Sequence, residues 1–162
     1  MVARLAQTVL DLSAELGDVD AMIETTFQQH TLADIITSMP GFGHLLGAEL
    51  LAVTNGDLTR FSTADRLAGI AGLTPVPRDS GRISGNLKRP RRYDRRLLRV
   101  FYLAANNSIK TCPASRMYYD RKRSEGKRHS QAILCLARRR VNVLWAMQRD
   151  NTSYQPGLPR AA

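Results

Sequence analysis

The sequence predicts an all-α fold: an N-terminal amphipathic helix with a coiled-coil seam, followed by a compact helical domain with a helix-hairpin-helix and a long basic loop. Three observations carry this. Apolar residues recur at spacings of three and four through most of the chain. No segment alternates apolar and polar residues in the way of a half-buried strand. Helix stops stand at Pro40-Gly41, Asn55-Gly56 and Glu125-Gly126. With 162 residues, 43% of them hydrophobic, the chain can bury one core.

The first helix is expected over residues 2–28. Leu5, Val9, Leu12, Leu16, Val19, Ile23 and Thr26 form a heptad seam, apolar except at its end, between acidic and polar faces. Such a helix either pairs with another copy or lies on its own domain. A short helix follows around Leu32 to Ser38, and another from His44 to Val53. Ser62-Thr63-Ala64-Asp65 reads as a helix start, with Leu67, Ala68, Ile70 and Ala71 behind it. Gly72 to Arg92 has no periodicity and reads as a loop. Helical spacing returns at Tyr93 and runs through Leu97, Phe101, Ala104, Ala105 and Ser108. Pro113 to Ser124 and Ser130 to Arg149 complete the set, and the chain after Asp150 reads as a flexible tail. The organisation is therefore a helical arm at 1–34, a domain at 35–150 and a tail at 151–162.

Charge is divided along the chain. Residues 1–70 hold nine acids and three bases, a sum of −6, and residues 71–162 hold five acids and twenty-one bases, a sum of +16. A basic half of this strength points to a polyanion, nucleic acid above all. No apolar run is long enough for a membrane span or a signal peptide, and two cysteines make no disulfide framework, so a reduced, cytoplasmic setting is expected. No metal site is expected in this chain: Asp11, Asp18, Asp20 and Asp34 read as solvated helix faces, and Cys112 and Cys135 as small core residues.

Two segments could carry chemistry. Ile36 to Leu50 contains Pro40-Gly41-Phe42-Gly43 between two short helices, with Ala48 five positions after the second glycine. In a helix-hairpin-helix, glycines at Gly41 and Gly43 let the backbone approach a phosphate, and the free N–H groups opening the second helix bind it. The alternative is a plain helical turn. The second segment is the loop, where nine arginines and lysines lie from Arg78 to Arg99: Arg78, Arg82, Lys88, Arg89, Arg91, Arg92, Arg95, Arg96 and Arg99. Such a cluster binds phosphate, and a serine between glycines among them suits attack on a phosphodiester. On composition alone, binding without catalysis is the simpler reading. His44 and His129 read as surface or capping residues, Trp145 as core, and Tyr118 and Tyr119 as either packing or nucleic-acid contacts.

The order of PGFG, RFSTADRLAGIAGLTP, an R-D-S-G loop, RRYDRRLLRVFYLAA and GKRHSQAILCLARRRVNVLWAMQRD resembles the C-terminal transposase domain of the one-ten (116/110/902) family of bacterial insertion-sequence transposases. The likeness covers roughly residues 35–150. It implies a recombinase acting on DNA and guided by a structured RNA, with a nucleophilic serine in this domain and Mg2+ held by a RuvC-like D-E-D-D domain. By position after A-G-L-x-P the family's serine falls on Ser80, with the Ser84-Gly85 pair as the alternative. No RuvC-like acidic set is recognisable here. The resemblance therefore implies a DNA-binding, serine-bearing part of a bacterial transposase, inactive by itself; the heptad seam adds the expectation of a homo-oligomer through residues 2–28. A nonenzymatic nucleic-acid-binding module and a helical oligomerisation domain are the alternatives.

Overall fold

The structure, a computed structural model, describes residues 1–156 apart from 78, 80, 83 and 86. In chain order the described elements are α1 (Val2–Gln28), α2 (Ala33–Ser38), α3 (His44–Thr54), α4 (Ala64–Ile70), β1 (Val76–Pro77), β2 (Leu87–Lys88), α5 (Arg95–Thr111), α6 (Pro113–Ser124) and α7 (His129–Arg149). The fold is mostly helical, as expected. One correction concerns the loop: Val76 pairs with Lys88 and Pro77 with Leu87 in a short antiparallel ladder. Two-residue strands are too brief for alternation to mark them in a sequence.

Helices α5 and α7 form the centre, with α6 on both, α4 against α7 and α3 against α5. Val100, Phe101, Ala104 and Ala105 of α5 meet Ile133, Ala137, Val141 and Leu144 of α7, all fully buried. Truncating Phe101 to alanine would cost about 3–5 kcal/mol, the usual loss for a buried aromatic ring. Phe42 stands edge-on to Phe101, with ring centroids 6.2 Å apart, and so seats the turn between α2 and α3 on this core.

Local chemistry sets the helix ends. Thr63 caps α4 by accepting from the Arg66 N–H. Asp94 caps α5 by accepting from the N–H groups of Arg96 and Leu97 at 2.8 and 2.9 Å, so the helix starts at Arg95 rather than Tyr93. Each cap is worth about 1 kcal/mol. Pro113 sits in the first turn of α6, where its missing N–H costs nothing.

The connection between α3 and α4 is tied to α7. Trp145 Nε1 donates to the Phe61 carbonyl, and Gln148 bridges the Leu58 N–H and Asp57. Residues 151–154 are not a free tail. The Tyr154 N–H donates to Ser38 Oγ at 2.9 Å, and its half-buried ring lies beside Cys112. Residues 157–162 of the expected tail lie outside the described residues.

The arm is built differently. Residues 1–22 are exposed throughout, including the seam residues Leu5 (61%), Leu12 (53%) and Leu16 (66%). Only Phe27 at the end of α1 is buried, against Gly47 of α3. The seam from Leu5 to Leu16 therefore does not lie on the chain's own domain, whereas its last turn, with half-buried Ile23, meets α3.

Candidate nucleic-acid interface

The basic loop leaves the domain after α4 and returns before α5, and its neck is closed in three ways. Gly72 has φ +68°, which lets the chain turn off α4, and its Cα faces the Tyr93 ring: a Cβ there would meet Tyr93 Cγ at 2.7 Å. The Asp94 N–H donates to the Ile70 carbonyl at 2.7 Å. The β1–β2 ladder holds the strands beyond that. Thr74, inside the neck, has a buried hydroxyl with no hydrogen-bond partner among the described residues.

Above the neck the loop carries exposed cations. Arg82, Lys88, Arg89, Arg91, Arg92, Arg95, Arg96 and Arg99 lie along it and the first turns of α5, most of them exposed. Glu49 of α3 sits 3.8 Å from Arg96 and 2.5 Å from Arg99, and so partly neutralises that end. Among the described residues no carboxylate pairs with Lys88, Arg89, Arg91, Arg92 or Arg95. Arg89 lies over the Tyr93 ring at 5.6 Å, so a cation–π contact places it at the neck. Gly81 and Gly85, the glycines of the two serine–glycine pairs, have φ +51° and +78°. Both therefore turn the chain sharply in the left-handed region. Ser84 is exposed, while Ser80 and Arg78 lie outside the described residues.

At the turn between α2 and α3 the two glycines serve different ends. Gly41, φ +93°, is pressed against the backbone of α5, where a Cβ would collide with the Ala104 carbonyl and meet Ser108 N at 2.9 Å. Its role in the fold is close helix packing. Gly43 is exposed and open, and it caps α3 without a side-chain acceptor. The first-turn N–H groups of α3 are thus uncapped by any side chain, and a helix start of this kind attracts anions. His44 there is 3.9 Å from Glu24 of α1.

The segment from the α2 turn to the start of α5 is thus one structural unit with a clamped basic loop. It is also the segment that a known family shares. The model of the IS116/IS110/IS902 transposase family matches residues 33–120. The chain belongs to that family. The match runs from α2 into α6 and so includes the hairpin turn and the whole loop. This transposase-family chain is 68% identical over 162 residues to the "uncharacterized 42 kDa protein" of insertion element IS900 from Mycobacterium paratuberculosis. It is 50% identical over 159 residues to the 44.8 kDa protein of IS116 from Streptomyces clavuligerus, and 42% identical over 159 residues to the 43.6 kDa protein of IS110 from Streptomyces coelicolor. Those alignments take in 100%, 98% and 98% of the chain but only 41%, 40% and 39% of the respective relatives.

Other residues singled out in the sequence are placed as follows. Tyr118 is half-buried and ringed by Arg121, Arg139 and Lys122, at 5.1, 5.3 and 5.7 Å from its centroid. The hydroxyl of Tyr119 is 2.8 Å from His129 Nδ1, which anchors the start of α7. Cys112 is buried and Cys135 half-buried; both thiols are free. The transposase-family chain also has a buried arginine that its sequence does not single out. Arg140 stands on the core face of α7, in step with Ile133, Leu136, Ala137 and Leu144, inside the run Arg138-Arg139-Arg140. Its position in the helical period, four residues from both Leu136 and Leu144, is the one signal the sequence offers. Among the described residues no helix is long and apolar enough to cross a membrane.

Proposed function

We propose that this chain binds the nucleic-acid backbone through the 75–92 loop and the start of α5, and that Ser80 is the nucleophile in transposition of its element's DNA. The clamped basic loop is the observation that supports this most. A surface kept basic for solubility needs neither a closed neck nor a cluster of cations without carboxylate partners. Such a loop holds its arginines where phosphate oxygens can be gripped in pairs.

In the proposed reaction the Ser80 hydroxyl attacks phosphorus. An Oγ–P bond forms while the bond from phosphorus to one deoxyribose oxygen breaks. The serine gives up its proton, and the leaving oxygen takes one up. Arginines of the loop hold the non-bridging oxygens and offset the charge that builds on them. A serine hydroxyl is a weak nucleophile without a base or a metal. Among the described residues no group of three or more His, Cys, Asp or Glu side chains could hold a metal ion. We therefore assign activation, with Mg2+, to a RuvC-like domain outside these 162 residues, and expect the chain alone to bind without reacting. A structured guide RNA would use the same phosphate contacts.

Assembly belongs to this reading. A heptad seam exposed along α1 is self-complementary, so a second copy of the same helix is the partner it fits.

The test of binding is its salt dependence on a short duplex of arbitrary sequence. Each phosphate that the protein neutralises adds about 0.9 to the steepness of log affinity against log salt. Changing Arg91, Arg92, Arg95 and Arg96 together to alanine is expected to flatten that slope by about two to four units, on the same scale. An unchanged slope would place the binding face elsewhere.

A further inference from the structure

Arg140 is 4% exposed, and its guanidinium makes two hydrogen bonds: Nη1 donates to the Pro40 carbonyl at 2.5 Å and Nη2 to Ser115 Oγ at 2.7 Å. Nε is buried and has no hydrogen-bond partner among the described residues. Among the described residues no carboxylate is paired with it. The groups that act on it electrostatically are Tyr154 and Cys112, both neutral in their ordinary forms. Burial pulls its pKa down, but a guanidinium stays protonated. Linking the hairpin turn to α6 needs a donor, not a charge. A buried cation without a counter-charge is costly, and an anion beside it removes the cost.

A cavity of about 440 Å3 opens beside Arg140, between α6, α7 and the chain around Tyr154. That size suits a small organic ligand, for which roughly 300–1,000 Å3 is usual. Its lining includes three arginines (Arg121, Arg139 and Arg140), two tyrosines (Tyr118 and Tyr154) and apolar wall from Met39, Leu136 and Val143; among the described residues no carboxylate lines it. Arg121 and Arg139 stand at its edge over the Tyr118 ring, and among the described residues Arg139 has no carboxylate partner. Three guanidinium groups, that of Arg121 also 3.9 Å from Glu125, line the cavity beside an aromatic and aliphatic wall, and together they match one chemistry: a flat apolar ring that carries a phosphate.

We propose that this cavity takes one unpaired nucleotide of a nucleic-acid strand. Its phosphate lies at Arg121 and Arg139, which Tyr118 holds by their stacking on its ring, with Arg140 as the buried charge behind them, and its base lies against the apolar wall of Met39, Leu136 and Val143. The proposal rests on the reading above for the class of ligand, not for the place: these residues belong to α6 and α7, not to the loop.

The test is an amide NMR titration of the full chain with thymidine 5′-monophosphate, with inorganic phosphate and with a short phosphorylated single strand. Saturable shifts are expected at Ser115, Tyr118 and Leu136. The strand should bind more tightly than the mononucleotide, and inorganic phosphate about tenfold more weakly than either. Arg121→Ala with Arg139→Ala should weaken strand binding at these residues by about tenfold, and neither residue belongs to the buried core. Arg140→Met, if it folds, should do the same. The four-alanine loop variant should leave these shifts in place, so a failure of the loop reading and a failure of this one are told apart. Absence of saturable shifts here, shifts that vanish only with the loop variant, or binding indifferent to the Arg121 and Arg139 changes would overturn the site. Inorganic phosphate binding as well as the nucleotide would overturn the base contact. A mononucleotide binding as tightly as the strand would overturn the strand in favour of free nucleotide.

Discussion

The ring of Tyr93 lies directly on the Cα of Gly72, closing the neck of the basic loop where a side chain on residue 72 would have no room. The left-handed φ of +68° adds a second reason for glycine. Gly72→Ala is expected to destabilise the fold by about 1–3 kcal/mol, from strain and from displacement of the ring. Urea unfolding measures the loss. Hydrogen exchange at the Asp94 N–H, bonded to Ile70 across the neck, should speed up more than exchange in α7.

The proposed pairing of the arm should be separable from folding. Leu5, Val9, Leu12 and Leu16 touch no core, so replacing Leu12 and Leu16 with glutamate should leave the thermal midpoint of the domain nearly unchanged. In sedimentation the unaltered chain is expected to be a dimer and the variant a monomer. An unaltered chain that is monomeric at high concentration would remove the paired arm.

Asp57 accepts from the Thr59 N–H and hydroxyl at 2.7 and 2.6 Å and from Gln148 of α7 at 3.2 Å. The Thr59 hydroxyl, foremost, holds its carboxyl below the ordinary value of 3.8. A depressed folded pKa means that the stabilisation is fully present above the unfolded value and is lost as pH falls through the folded one. Asp57→Ala should therefore be less stable than the unaltered chain at neutral pH, with the gap closing below about pH 4. Thermal midpoints across pH 2–7, roughly the carboxylate range and above, would show a constant gap if the hydrogen bonds did not favour the ionised form.

Much of this is legible in the sequence because helices announce themselves by period. Helices α1, α5 and α7 fall on the stretches that the spacing of Leu5 to Ile23, Leu97 to Ser108 and Ile133 to Leu144 marks out. What the sequence hides depends on contacts between distant residues. The ladder at Val76 and Lys88 has no local signature, since each strand is two residues long and one contains proline. Gly41 looks like a phosphate-approach glycine, yet it is held by the α5 backbone, a distant neighbour in sequence that only the fold supplies. Arg140 is masked by its arginine neighbours, and the seat of Tyr154 against Ser38 and Cys112 by the proline and glycine that follow it. Periodicity allows the arm either to pair or to pack; the exposure of Leu5 to Leu16 removes packing there, while the end of α1 packs on α3.

The proposed function turns on one bond, from Ser80 of the clamped loop to DNA. It is measured by denaturing electrophoresis of labelled DNA incubated with the chain, the proposed RuvC-like domain and Mg2+, comparing Ser80→Ala with Ser84→Ala. A covalent protein–DNA adduct should form with the unaltered chain and with Ser84→Ala. It should be lost with Ser80→Ala while DNA affinity changes less than about twofold, because the arginines supply the binding. An adduct that persists in Ser80→Ala, or one lost only in Ser84→Ala, would contradict the assignment.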